Sequence, residues 1–166
     1  RRCEYLRGAD AGDGFGPCLA IAARGGVRSV KLFSRLPFGK IKRLALDDGS
    51  RTSQVLARVW LDAAHGVRPE RIEPLPMGVP IEESTADAVL LIGDRAMIDP
   101  DERFFAVVDL AEAWYLSTGL PFVFALWVAR PDVDLGSLPD ALAQSKAEGI
   151  ANAHLLARIH GPRLGL

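Results

Sequence analysis

The sequence predicts an α/β fold with a largely parallel or mixed sheet, and three stretches carry that prediction. Leu44 to Arg58, LALDDGSRTSQVLAR, reads as a short buried strand, an Asp-Asp-Gly turn and the opening of an amphipathic helix. Ala86 to Ile92, ADAVLLI, reads as a strong buried strand, and Gly93-Asp94 follows it. Phe122 to Ala129, FVFALWVA, is the most apolar run in the chain, and its flanking Pro121 and Pro131 favour a strand over a helix. Strands that alternate with helices bury a sheet under those helices, and ligands of such sheets gather at the carboxyl ends of strands.

The remaining elements follow in order. Residues 1–17 are rich in Gly and Asp and read as loop. Leu19 to Ala23 and Val27 to Ser34 read as strands separated by Arg24-Gly25-Gly26, and Pro37 to Lys40 as a turn. The strand at 43–47 leads into a helix over 51–65 with apolar positions Val55, Leu56, Val59 and Trp60, closed at His65-Gly66 by a glycine cap. Arg71 to Leu75 is a strand whose end Pro74, Pro76 and Pro80 make irregular. Gly93-Asp94 opens a short helix through Met97, Phe105 to Asp109 is a strand, and Leu110 to Ser117 a short helix stopped by Gly119 and Pro121. Ser137 to Ile159 is helical, with Gly149 as its weak point.

Composition narrows the function. The chain has 166 residues, enough for one ordinary domain or two small lobes, and 49% of them are hydrophobic, enough for a core. A net charge of −1 gives no basic footprint for nucleic acid. No apolar run approaches the roughly 18 residues of a membrane span. Cys3 and Cys18 form no CxxC pair and join no His/Cys cluster of zinc-site spacing, so they read as free thiols of a reducing compartment or as a single disulfide. There is no Gly-rich dinucleotide fingerprint, Walker lysine, Gly-x-Ser-x-Gly or HExxH motif. No motif fixes an oligomeric state. The opening Arg1-Arg2-Cys3, without an initiator Met, and an end just after a helical pattern read as a piece of a longer protein.

Ser50, Arg51, Thr52 and Ser53 are the first candidates for a site. A helix start leaves amide N–H groups unpaired and carries the positive end of the helix dipole, and here three hydroxyls and a guanidinium crowd it. One hydroxyl alone reads as an N-cap; four such residues after a strand and a glycine turn read as a site for a carboxylate or phosphate. Ser29, entering a strand after Gly25-Gly26, is either an exposed strand serine or a ligand contact. Asp94 is either the N-cap of the next turn or an acceptor for a ligand hydroxyl. Trp114, Phe122, Phe124 and Trp127 read as core, and His65, His154 and His160 as helix-end or surface residues.

Four segments resemble the chorismate dehydratases of the futalosine route to menaquinone: GGVRSVKLFS (25–34), LALDDGSRTSQVL (44–56), DAVLLIGDRAM (87–97) and TGLPFVFALW (118–127). They span most of the chain in the family's order. The resemblance implies a two-lobed fold like the type II periplasmic binding proteins, with mixed sheets and the ligand between lobes. Residues 1–34 and 122–166 would form a split, incomplete first lobe around an inserted lobe at 35–121, with crossings near Val30–Ser34 and Phe122–Ala129. It also implies conversion of chorismate to 3-[(1-carboxyvinyl)oxy]benzoate and water, in the cytoplasm, without metal or organic cofactor. Ser29 matches the family's active-site serine, Ser50, Arg51, Thr52 and Ser53 its substrate-carboxylate loop, and Gly93 and Asp94 a second turn lining the cleft. The family's first strand and an Asn-bearing loop have no counterpart here, so this piece by itself is expected to be inactive. Two other readings use the same fold: a non-enzymatic solute-binding protein for a small carboxylate, and the sister enzyme acting on a cyclic futalosine derivative. The Ser-Arg-Thr-Ser loop favours the dehydratase over the sister.

Overall fold

The computed structural model describes residues 20–97, 103–127, 129 and 133–164. The readings of residues 1–17, Cys3 and Cys18 lie outside them. Seven strands run β1 (Ala20–Ala23), β2 (Val30–Ser34), β3 (Arg43–Asp47), β4 (Arg71–Leu75), β5 (Ala88–Ile92), β6 (Ala106–Asp109) and β7 (Phe122–Leu126). The helices are α1 (Arg51–His65), α2 (Leu110–Thr118), α3 (Leu138–Ala151) and α4 (Ala153–His160), with short 3-10 turns at Phe38–Lys40, Ile81–Glu83 and Gly93–Met97. The mixed α/β prediction holds.

Five strands form one sheet in the order β4-β3-β5-β2-β6, and β1 pairs with β7 in a separate two-stranded ribbon. In the larger sheet β3 is parallel to β4 and to β5, whereas β2 is antiparallel to both β5 and β6. Four strands therefore point one way and β2 alone points back. Side chains alternate across a strand, and the sheet divides its core accordingly. Val30, Leu32, Leu44, Leu46, Ala88 and Leu90 face Leu56, Ala57 and Leu61 of α1 and Leu110 of α2. Phe33, Ala45, Val89 and Leu91 face Leu75, Ile81 and Ala96 on the other side. Full burial of a leucine such as Leu32, Leu44 or Leu90 is worth about 1.5–3 kcal/mol, which makes β2, β3 and β5 the rigid frame for the loops at their ends.

The described chain divides into two compact units, one holding residues 22–124 and the other residues 20–21 and 125–164. The first contains the five-stranded sheet with α1 and α2; the second contains α3 and α4.

Helix α1 spans the predicted residues, and Gly66 closes it at φ 64°, a left-handed cap natural to glycine. Its buried face is Ser53, Leu56, Ala57 and Leu61, with Trp60 partly buried against the same core. Val55 and Val59, expected on that face, are exposed instead; they flank Arg58 and Asp62 around the helix and line an open groove with Ile72 of β4. Strand β2 begins at Val30 rather than Val27 because Arg28 adopts φ 64°, which breaks extended structure. The last apolar run is a strand only over Phe122–Leu126, and Trp127, expected in the core, is 62% exposed. Helix α3 runs through Gly149 and ends at Asn152, whose side chain donates to the Glu148 carbonyl at 2.8 Å. A glycine inside a helix costs only about 1 kcal/mol; a side chain that competes for the helical carbonyl is the stronger break.

Candidate active site

Strand directions decide where the candidate residues meet. Because β2 runs against the others, its amino end lies beside the carboxyl ends of β5 and β6, and β3 ends on the same edge. Following the strand order, that edge carries Gly49–Ser53 after β3, Gly93–Arg95 after β5, Val27–Ser29 before β2, and Asp109 at the end of β6 with the first turn of α2. All four segments belong to the unit of residues 22–124.

The start of α1 shows a division of labour among the four predicted residues. Ser50 is the N-cap: its Oγ accepts from the Ser53 amide at 3.2 Å and its hydroxyl donates to Ser53 Oγ at 3.0 Å. Ser53 is 1% exposed, turned into the body of the protein. Arg51 and Thr52 are exposed on the first turn. So Ser50 fulfils the capping role, Ser53 braces it, and Arg51 with Thr52 faces outward beside the first-turn amides, which an α-helix leaves unpaired. The cap is a neutral hydroxyl, so the positive end of α1 is not neutralised by its own cap.

Ser29 and Gly93 are direct neighbours. The Gly93 N–H donates to the Ser29 carbonyl at 2.8 Å, one step beyond the Val30–Ile92 pair of the β2–β5 ladder. Gly93 has φ 65°, a conformation open to glycine at little cost. Ser29 is half-buried. Asp94 is exposed as the second residue of the 3-10 turn Gly93–Met97, so it does not stand ahead of that turn as its cap.

Asp47, Arg95 and Asp109 also hold this edge together, through partners distant in sequence. Asp47, 1% exposed, accepts from Gly49 N at 2.9 Å and from Ile92 N at 3.3 Å, and pairs with Arg95 Nη1 at 3.3 Å. Arg95 also donates to the carbonyls of Pro76 and Val79, tying together the loops after β3, β4 and β5. Gly49 keeps this corner uncrowded, since an added Cβ would stand 2.8 Å from Ile92 Cδ1 and 3.2 Å from Asp47 Oδ1, so that one or both side chains would have to shift. Asp109 caps α2 through Oδ1, accepting from Ala111 N at 3.0 Å and Glu112 N at 3.2 Å. Its Oδ2 accepts from Val27 N and Arg28 N, both at 2.7 Å. Local signals for these residues existed: Asp47-Asp48-Gly49 is an Asx-turn sequence, and Asp109 with Glu112 has capping-box spacing. Their distant partners had no such signal.

The two helix starts therefore differ in electrostatics. Helix α2 is capped by a carboxylate of the chain itself, which satisfies its amides and offsets its dipole. Helix α1 is capped by a hydroxyl and flanked by the exposed Arg51. An incoming carboxylate is favoured at α1 and opposed at α2. Among the described histidines, His65 lies at the far end of α1, in ring contact with Phe38 and Trp60 about 5 Å away, as a helix-end residue should.

The family described as "Menaquinone biosynthesis" matches residues 15–161. A chorismate dehydratase of Thermus thermophilus is 34% identical over a 180-residue alignment that covers 98% of this chain and 65% of the relative. The chain thus spans about 65% of the length of that curated relative.

Proposed function

The chain belongs to the menaquinone biosynthesis family, and from that premise we propose that the protein it forms dehydrates chorismate to 3-[(1-carboxyvinyl)oxy]benzoate. The observation that carries the proposal is the convergence of Ser29, the Gly93-Asp94 turn and the Ser50–Ser53 helix start on one edge of one sheet. Chorismate is a dianion, and the hydroxyl-capped start of α1 with Thr52 and Arg51 supplies donors for one of its carboxylates. Ser29 contacts the ring, and Asp94 accepts from a substrate hydroxyl.

In the reaction a ring C–H bond breaks, its electron pair forms the last double bond of the aromatic ring, and the ring C–O bond breaks. The departing hydroxide takes up a proton and leaves as water. Aromatisation supplies the driving force, so the protein's task is to hold the ring, orient the proton to be lost and donate to the leaving oxygen. Ser29 is the group assigned to that donation. The base is a carboxylate of the substrate itself, a role the dianion can fill without a basic side chain at this edge.

The proposal extends to a two-lobed type II periplasmic-binding-protein-like fold in which the chain crosses between lobes near β2 and β7, with β2 itself a strand of the inserted lobe's sheet. The five-stranded sheet with a single reversed strand supports it. A cytoplasmic location fits a small-molecule biosynthetic step; among the described residues, no helix is long and apolar enough to cross a membrane. The test is direct. Full-length protein is incubated with chorismate without added cofactor, and the aromatic acid is followed by chromatography. Product above the no-enzyme control is expected; tight binding of chorismate without product would favour a solute-binding protein instead.

A further inference from the structure

We infer that Asp109 is a positioning residue, whose carboxylate sets the conformation of the segment carrying Ser29; the inference rests on the proposed role of Ser29. One carboxylate group takes four backbone amides. Oδ1 caps α2 through Ala111 and Glu112, while Oδ2 receives Val27 N and Arg28 N, each at 2.7 Å and from 82 and 81 residues away in sequence. Hydrogen bonds of that length from amides to an ionised oxygen are the strong, charge-assisted kind.

The clamped segment needs holding. Arg28 has φ 64°, the only non-glycine among the described residues with positive φ, and a side chain there is disfavoured by contact between Cβ and backbone. Such a conformation persists only where surrounding bonds over-determine it. Gly26 fits the same arrangement, because a Cβ on it would lie 3.0 Å from Asp109 Oδ2. Ser29 follows directly, anchored through its carbonyl to Gly93. The backbone of Ser29 is therefore held from both sides, which fixes the direction of its Cα–Cβ bond: by Asp109 through Val27 and Arg28, and by the ladder to β5. Strand β6 and helix α2 serve the site without reaching it.

Replacement by asparagine or serine separates the two uses of Asp109. Asn and Ser are both good N-caps, so α2 keeps its start. Neither offers a second anionic oxygen to the Val27 and Arg28 amides. Asp109→Ser and Asp109→Asn are therefore made in the full-length protein, alone and with Ser29→Ala. Hydrogen exchange is read at individual amides, together with kcat and KM for chorismate. The expected result is faster exchange at Val27 and Arg28 by at least tenfold, with Ala111 and Glu112 retaining protection. kcat should fall at least tenfold with KM changed less than threefold, and the kcat loss should shrink to less than threefold in the Ser29→Ala background. Unchanged exchange at Val27 and Arg28 in both single variants would overturn the clamp. A full kcat loss that persists without the Ser29 hydroxyl would overturn its action through Ser29. If wild-type protein makes no aromatic product, the dehydratase reading fails while the exchange result still decides the clamp.

Discussion

The carbonyl of Ser29 accepts the Gly93 N–H at 2.8 Å, which joins the start of β2 to the turn after β5. That bond involves main chain alone and survives any change of the Ser29 side chain. Ser29→Ala is therefore a clean removal of a hydroxyl. In full-length protein it is expected to lower kcat while leaving chorismate affinity nearly unchanged, the pattern of an interaction made mainly in the transition state. Steady-state kinetics with chromatographic product detection measures both; a rise in KM at constant kcat would reassign Ser29 to ground-state binding.

Thr52 is exposed on the first turn of α1, and Ser50 rather than Thr52 is the cap. Thr52→Val should therefore leave the fold intact and weaken chorismate binding by roughly 1–2 kcal/mol, between the worth of a neutral hydrogen bond and of one to a charged group. Isothermal titration reads it. Unaltered affinity with unaltered thermal stability would move the carboxylate site away from this helix start.

Asp47 is buried among Gly49 N, Ile92 N and Arg95. Asp47→Ala strands the Gly49 and Ile92 amides and leaves the partly exposed Arg95 with only its carbonyl partners, and should destabilise the protein by roughly 2–3 kcal/mol. Urea unfolding of the full-length variant measures this, and a loss under about 1 kcal/mol would show the pair to behave as a surface one.

Asp62 and Arg68 supply a pH test away from the site. Two hydrogen bonds from Arg68, at 3.0 Å each, hold the Asp62 carboxyl below its usual range. A depressed folded-state pKa contributes stability above the unfolded carboxylate range, and the contribution is lost as pH falls through the folded value. Arg68→Gln should raise the Asp62 titration midpoint, seen by NMR of its side-chain carboxyl carbon, and should flatten the acid limb of stability. A midpoint that stays put would mean that the hydrogen bonds are not populated in solution.

What the sequence by itself determined is local. The strand at 43–47, the helix at 51–65 and its glycine cap are written in apolar spacing and end residues, and the structure has them at the same bounds. The Ser-Arg-Thr-Ser helix start and the Gly93-Asp94 turn were legible for the same reason, because caps and turns depend on neighbours a few residues away. Only the tertiary structure decided that β2 runs against β3 and β5, and so that Ser29 meets Gly93. It also decided that Ser53 is buried while Thr52 is free, since the side of α1 that packs is chosen by the sheet beneath it. Asp47 finds Arg95 48 residues away and Asp109 finds Val27 82 residues away. A carboxylate has the same local signature whether it caps a helix, ends a strand or clamps a distant loop. Its partners are set by which strands pair, and strand pairing is a long-range outcome of burying both faces of the sheet.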